Sequence, residues 1–117
     1  MSKSKRREIP RFQTPIVETH CHLDYLEGEE LTSVLERSRE VGVERIITIA
    51  VSPDNLETVR NIAHNNDDVW CTQGIHPHEA ASFTDTVATS IRQGAADDNT
   101  VAIGEIGLDY YLSLIHI

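Results

Sequence analysis

The chain has 117 residues, a formal net charge of −9 and 39% apolar residues, which suffices for one small domain or for part of a larger one. From Phe12 onward it holds five Arg, no Lys and 18 acidic residues, so the folded part lacks the basic surface that broad nucleic-acid binding requires. No run of 18 apolar residues occurs, and we therefore expect no membrane span.

The first 14 residues are basic, with five Lys and Arg among the first 11, and no apolar signal-peptide core follows them. We expect residues 1–14 to form a disordered tail. Cys21 and Cys71 form no zinc-type CxxC pair, and two cysteines are too few for a disulfide scaffold. We therefore expect two reduced thiols and a cytoplasmic protein.

Strands and helices are predicted to alternate along the rest of the chain. Short β-branched or apolar runs predict four strands, at residues 15–20, 45–51, 69–75 and 100–107. Apolar residues at helical spacing predict three helices between them, at residues 28–42, from Ser52-Pro53-Asp54 through Ala63, and at residues 83–96. This alternation predicts an α/β fold with a parallel sheet and right-handed crossovers.

Polar side chains follow three of the four predicted strands, and function in parallel α/β folds collects at these carboxyl ends. The residues are His20 and His22 at the end of the first strand, His76 and His78 at the end of the third, and Glu105 and Asp109 at the end of the fourth. The second strand ends in "VSPDN", which is typical of a plain helix entry.

His20 and His22 are expected to point to the same side, into the interior, because residues i and i+2 of a strand share a face. Burying two imidazoles is costly unless they are paired. A divalent metal would pair with both, and a carboxylate such as Glu105 would add a third ligand. Two hydrogen-bonded structural histidines are the alternative explanation.

Three segments, "VETHCHLD", "GIHPH" and "AIGEIGLDYY", resemble in order and spacing the signature segments of the TatD-type metal-dependent deoxyribonuclease family, of the amidohydrolase-like superfamily. The resemblance covers residues 15–111. It implies the N-terminal half of a TIM (β/α)8-type barrel, with about four parallel strands and intervening helices. It also implies phosphodiester hydrolysis, as a DNA exonuclease, with water activated by one or two divalent ions (magnesium, or else manganese or zinc).

The resemblance also implies roles for individual residues. His20, His22 and Glu105 correspond to metal ligands, with Glu105 as the catalytic residue. Four further residues correspond to positions that face the substrate or support the ligands, namely Asp24, His76, His78 and Asp109. One departure is Glu18, where the family usually has Asp; Glu is one methylene longer, so its hydrogen bonding can differ.

A complete barrel has eight strand–helix units in roughly 250 residues, and this chain is expected to supply only half of one. The later ligands implied by the resemblance, two histidines and an aspartate, have no counterpart here, so the chain alone is expected to be inactive. The last six residues, 112–117, read "LSLIHI", as the codons CTG TCT CTT ATA CAC ATC of a transposase adapter would encode. Our hypothesis is that residues 15–111 form the half-barrel and that 112–117 derive from such an adapter.

Two other classes stay open. An amidohydrolase-like enzyme would cleave C–N bonds with the same HxH strand, but many such enzymes carry a carboxylated Lys on strand four, and this chain has no Lys beyond Lys5. A non-catalytic metal-binding fragment is the other class. DNA is the expected partner, and the sequence leaves the oligomeric state open.

Overall fold

A computed structural model describes residues 7–110. These residues form four strands, β1 to β4, at Ile16–Cys21, Val43–Thr48, Val69–Gln73 and Thr100–Ile103. Three helices alternate with them, α1 to α3, at Gly28–Glu40, Leu56–Asn65 and Asp85–Ala95. Short 3₁₀ turns follow β1 at Leu23–Tyr25 and β3 at Pro77–Ser82. The predicted adapter-derived segment, 112–117, and residues 1–6 of the predicted tail lie outside the described residues.

Within residues 7–110 the strands form one parallel sheet in the order β1-β2-β3-β4. The predicted α/β alternation is thereby confirmed. Sequential parallel neighbours place all the carboxyl ends on one edge of the sheet. None of the helices within residues 7–110 has the length and apolar character of a transmembrane segment.

The core lies where α1 and α2 cover the central strands. Leu35 of α1 is 2% exposed, Val59 of α2 is 0% exposed and Val69 of β3 is 1% exposed. Full burial of such a side chain contributes about 1.5–3 kcal/mol. The predicted apolar stripe of α2 is also buried, namely Leu56, Val59, Ile62 and Ala63. Both thiols are free, with Cys71 buried and Cys21 partly buried.

Several apolar side chains on and beyond the edge strands β1 and β4 have little cover among residues 7–110. Val17 of β1 is 49% exposed, and Val101 and Ile103 of β4 are each 50% exposed. Ile106 and Leu108, beyond β4, are 63% and 80% exposed. Apolar rows on edge strands are normally covered or paired, so these side chains mark surface on which further structure would pack.

Helix α2 begins at Leu56, so the predicted start of this helix at Ser52-Pro53-Asp54 is wrong. Residues 52–55 form a turn in which the Asn55 amide N–H donates to the Ser52 carbonyl over 3.2 Å. The side-chain oxygen of Asn55 accepts from the backbone N–H groups of Val51 and Ser52. A side chain that bonds nearby backbone in this way competes with a helical turn.

Strands β3 and β4 are shorter than predicted, because the chain leaves the sheet after Gln73 and after Ile103. The Gly104 N–H still donates to Gln73, over 3.0 Å, but the next N–H, that of Glu105, donates to Ala50 beyond β2, over 3.1 Å. The backbone after β4 therefore crosses the end of β3 towards β2. This crossing brings the Glu105 side chain to the carboxyl edge of the sheet.

Candidate metal centre

A cavity of about 320 Å³ opens at the carboxyl edge of the sheet. It is lined by residues at the end of β1 and in the loops that follow all four strands, namely His20, His22, Tyr25, Val51, His76, His78, Glu79 and Glu105. Five of these residues were predicted from the sequence to belong to the site. The structure therefore gathers the two histidine pairs and the strand-four glutamate around one space.

His20, His22 and Glu105 come closest to a ligand set within residues 7–110. Each offers one ligand atom, and these three atoms all lie within 4.8 Å of one another. The Nε2 atom of His20 lies 3.6 Å from Oε2 of Glu105. The imidazole rings of His20 and His22 meet edge to face with their centroids 5.4 Å apart. Two imidazoles and a carboxylate at this spacing are a donor set that divalent metals accept.

His20 lines the same cavity as His22 and Glu105, but its side chain is 55% exposed. Strand β1 is an edge strand, and little among residues 7–110 covers this part of it. His22, just beyond the strand, is half-buried. The Glu18 carboxylate accepts the backbone N–H of His20 over 2.9 Å, at the position where the family usually has Asp. The longer side chain thus bonds the backbone beside the site.

A buried, unpartnered nitrogen supports the fit of a cation. The Nδ1 atom of His22 is buried and has no hydrogen-bond partner among the described residues. Such an atom is costly unless a ligand satisfies one side of the ring. The Tyr25 ring stacks on the His22 imidazole, with centroids 5.2 Å apart and planes 24° apart. This stack fixes the orientation of the imidazole at the cavity wall.

Cys21, between the two histidines, does not add a thiolate ligand. Burial, followed by the negative charges of Glu18 and Asp24, raises the pKa of the Cys21 thiol to about 11. Its Sγ atom instead lies 3.6 Å from the Ile47 carbonyl oxygen on β2. The thiol therefore stays protonated at neutral pH.

His76 joins the acidic groups of the loop after β4. Its Nε2 atom lies 3.4 Å from Oε1 of Glu105 and 3.7 Å from Oδ2 of Asp109. Its Nδ1 atom accepts the backbone N–H of His78 over 2.9 Å. Because Nδ1 accepts, the ring proton of the neutral imidazole lies on Nε2, towards the two carboxylates. His76 can therefore orient Glu105 from the side opposite His20.

Asp24 lies one turn beyond the histidine pair and contacts a neighbouring loop. Its Oδ2 atom accepts the side-chain N–H of Asn55 over 3.1 Å, while Oδ1 is buried without a hydrogen-bond partner in the described part of the chain. His78 lies at the cavity mouth, with its ring centroid 6.5 Å from that of His76. His78 is exposed, whereas His76 is largely buried, so the two residues of the pair differ in environment.

Four residues at or beside the site were not predicted from the sequence, namely Tyr25, Val51, Asn55 and Glu79. Tyr25 immediately follows "HCHLD", and an aromatic residue so close to a metal-type motif could have been noticed. Glu79 immediately follows "GIHPH". Asn55 lies in "VSPDN", which is typical of an ordinary helix start, and its contacts with Asp24 and Val51 are apparent only in the fold.

Comparison with known proteins places the chain in a family. The profile of the family described as TatD related DNase matches residues 17–115. The chain is similar to a 3'-5' ssDNA/RNA exonuclease TatD of Musicola paradisiaca, with 39% identity over 67% of the chain and 30% of that protein. It is also similar to the uncharacterized metal-dependent hydrolase YjjV of Escherichia coli, with 32% identity over 81% of the chain and 38% of that protein.

A solved structure supports the same relationship. The crystal structure of YjjV, a TatD homologue, superimposes with a TM-score of 0.73 at 30% identity, over 81% of this chain and 38% of that one. The fold is thus the N-terminal half of a (β/α)8 barrel, as predicted. The chain spans about a third of the length of the relatives it matches, from 30% to 38%. On the profile match, the sequence identities and the shared fold, the chain belongs to the TatD family of metal-dependent hydrolases.

Proposed function

We propose that the protein to which this chain belongs is a divalent-metal-dependent phosphodiester hydrolase that digests DNA from an end. The observation that carries the proposal is the convergence of His20, His22 and Glu105. Several relatives are named metal-dependent hydrolases, which supports the same chemistry. We propose one or two ions, with magnesium first and manganese or zinc as alternatives, because imidazole and carboxylate ligands suit all three.

The residues of the site have two roles in this proposal: His20, His22 and Glu105 bind the cation, and Glu105 also accepts a proton. When bound, a divalent cation supplies Lewis acidity, which acidifies water and offsets charge on the scissile phosphate. Glu105 presents Oε2 towards His20 and Oε1 towards His76, so one oxygen can bind the cation while the other accepts a proton from the attacking water. In the reaction the water oxygen bonds to phosphorus, the bond to the leaving sugar oxygen breaks, and that oxygen takes up a proton.

The charges around the cavity also favour a metal-dependent site. Glu79 and Glu105 line the cavity, and Asp109 contacts His76. Without a cation these carboxylates would repel a phosphodiester. Divalent ions held by His20, His22 and Glu105 would offset this negative charge, as bound cations do in phosphate sites. This arrangement would let a chain with a net charge of −9 approach nucleic acid.

The proposed substrate class follows from the relatives. Two of the matched proteins, from Musicola paradisiaca and Cronobacter sakazakii, are named 3'-5' ssDNA/RNA exonuclease TatD. We propose DNA as the first substrate and RNA as the competing one. The open cavity, with exposed His78 and Tyr25 at its mouth, leaves room for the end of a flexible strand.

Binding of Mn²⁺ to the 117-residue chain tests the metal centre separately from turnover. An electron paramagnetic resonance titration should show binding to the wild-type chain, and Glu105→Gln or His20→Ala should weaken it by at least about tenfold. Glu79→Gln is the matched control, because Glu79 lines the same cavity outside the three-residue cluster. No binding by the wild-type chain, or equal binding by Glu105→Gln, would refute the proposed centre.

A nuclease assay tests the activity. We expect metal-dependent shortening of end-labelled DNA by the protein that contains this chain. We expect none by the 117 residues alone, because the family resemblance implies two further histidines and an aspartate in the ligand set. Hydrolysis of cyclic amides without cleavage of DNA or RNA would instead support an amidohydrolase-like enzyme. Mn²⁺ binding without any hydrolysis by the whole protein would support a non-catalytic metal-binding role.

A further inference from the structure

We propose that Asn55 is a positioning residue of the metal centre, which it serves by holding three loops of the site in register. The proposal rests on the function proposed above. Asn55 is not a candidate ligand, since it contributes no atom to the cluster of His20, His22 and Glu105. It acts through the backbone that follows β2, a strand that supplies no ligand to that cluster.

The Asn55 side chain is buried and makes contacts at both ends of its amide. The residue is 7% exposed. Its Oδ1 atom accepts the backbone N–H groups of Val51, over 3.0 Å, and Ser52, over 3.1 Å. Its Nδ2 atom donates to Oδ2 of Asp24 over 3.1 Å and makes a longer contact, 3.5 Å, with the Ile49 carbonyl oxygen. A buried amide with this many partners has one orientation.

The backbone segment that Asn55 holds also accepts hydrogen bonds from Glu105 and His76, two residues that meet at the cavity. The Glu105 N–H donates to the Ala50 carbonyl over 3.1 Å, and the His76 N–H donates to the Val51 carbonyl over 2.8 Å. Asn55 bonds the N–H group of the same Val51. The loops after β3 and β4 are thus both bonded to the segment 50–51, and the Asn55 side chain holds this segment in place.

The bond to Asp24 extends the same connection to the loop after β1. Asp24 lies two residues beyond His22, in the 3₁₀ turn that leads away from the histidine pair. The Asn55 side chain therefore joins the 3₁₀ turn that follows His22 to the segment 50–51, to which the backbone N–H groups of Glu105 and His76 are bonded. A shift of a fraction of an ångström in either loop would change the distances between the ligand atoms. Such a change lowers the affinity for the metal.

Only an amide satisfies these contacts. The position must accept two backbone N–H groups with one atom and donate to a carboxylate with the other. Asp would keep the acceptor but place a second carboxylate against Asp24. Ala would leave the Val51 and Ser52 N–H groups without that partner. Exchange of the two side-chain types, with Asp24→Asn and Asn55→Asp together, would restore one donor facing one acceptor.

The test compares the single variants with the exchange and with a control that is destabilised elsewhere. Val59→Ala removes buried apolar volume from α2 and leaves the side-chain contacts of Asn55 in place, because Val59 bonds Asn55 through the backbone, its N–H donating to the Asn55 carbonyl over 3.1 Å. We expect Asn55→Asp and Asn55→Ala to weaken Mn²⁺ binding by about 10- to 100-fold, and the exchange to recover most of that loss. Val59→Ala should lower the melting temperature and leave the Mn²⁺ dissociation constant of the folded chain unchanged.

A metal-free measurement keeps this inference separate from the proposed function. The amide protons of His76 and Glu105 should exchange faster in Asn55→Ala than in the wild type, relative to a sheet amide such as that of Cys71. In Val59→Ala the three amides should change together. Failure of the wild type to bind Mn²⁺ would refute the metal centre alone. The role of Asn55 would be refuted if the relative exchange rates of the His76 and Glu105 amides were the same in Asn55→Ala as in the wild type. It would also be refuted if the wild type bound Mn²⁺ and the Asn55 variants bound it with the same affinity.

Discussion

Gly74 and Gly104 lie so close together that a side chain on the first would collide with the backbone of the second. A Cβ atom added at Gly74 would stand 2.5 Å from the carbonyl carbon and 2.6 Å from the carbonyl oxygen of Gly104. Gly74 directly follows β3, and Gly104 directly precedes Glu105. The missing side chain therefore allows the chain to cross the end of β3 and deliver Glu105 to the cavity.

Gly74→Ala should disturb both stability and the metal centre. The atoms that must move are backbone, so we expect a loss of about 1–3 kcal/mol in the free energy of unfolding, together with weaker Mn²⁺ binding. Urea denaturation and a Mn²⁺ titration would measure the two effects. Gly104→Ala is the matched control, because its added Cβ meets nothing within 4 Å. Equal behaviour of the two variants would contradict the role of the close approach.

Tyr25→Ala should weaken binding of a single-stranded oligonucleotide to the protein that contains this chain. Tyr25 is 72% exposed at the cavity wall, and one face of its ring covers His22. Stacking of a base on an aromatic side chain contributes about 1–3 kcal/mol, which corresponds to roughly 5- to 150-fold in the dissociation constant. Fluorescence anisotropy would measure it, and Tyr25→Phe should bind like the wild type.

Tyr110→Ala is a control for the loss of an exposed aromatic residue, since Tyr110 is 60% exposed and is not among the residues that line the cavity. If Tyr25→Ala and Tyr110→Ala weaken binding equally, Tyr25 has no specific contact with the strand.

Asp68 should make stability depend on pH through its pair with Arg39. The guanidinium donates to both carboxylate oxygens, over 2.7 and 2.8 Å, and lowers the pKa of Asp68 below its ordinary value of 3.8. The pair's stabilisation is therefore present above about pH 4, the unfolded pKa, and is lost as the pH falls through the lower folded pKa. Because the Arg39 side chain is 42% exposed, solvent screening limits the effect to about 1 kcal/mol or less.

The measurement is urea denaturation of the wild type and Asp68→Asn. The variant should be less stable at pH 7, and the difference should shrink at pH 3. Asp67→Asn, on the exposed neighbouring residue, should show no such pH-dependent difference. A difference between wild type and Asp68→Asn that persists at pH 3 would show that the effect is not ionic.

The Cys71 thiol should resist modification until the chain unfolds. Cys71 is 0% exposed, and burial raises the pKa of its thiol despite an opposing contact with the Thr100 hydroxyl. The thiolate is the reactive species, so in a Cys21→Ser background the reaction with a disulfide reagent at pH 8 should follow the urea unfolding transition. Full labelling in native buffer at the rate of free cysteine would contradict the burial of this residue.

Local sequence patterns predicted which elements form and where the polar residues lie along them. Apolar runs and helical spacing are local signals, so the alternation of β1 to β4 with three helices was predicted, although α2 begins later than predicted. Histidines and acids that follow strands had to share one edge, because parallel strands all end there. The convergence of His20, His22 and Glu105 on one space was predicted on the same reasoning.

Tertiary structure alone decided how those residues face one another. Glu105 reaches the cavity because its N–H bonds Ala50, 55 positions earlier in the chain, across the end of β3. Asn55 looks like any helix entry in the sequence, and its contact with Asp24 spans 31 positions. The exposure of His20 likewise depends on what covers an edge strand. Such contacts join residues far apart in the chain, and local periodicity carries no information about them.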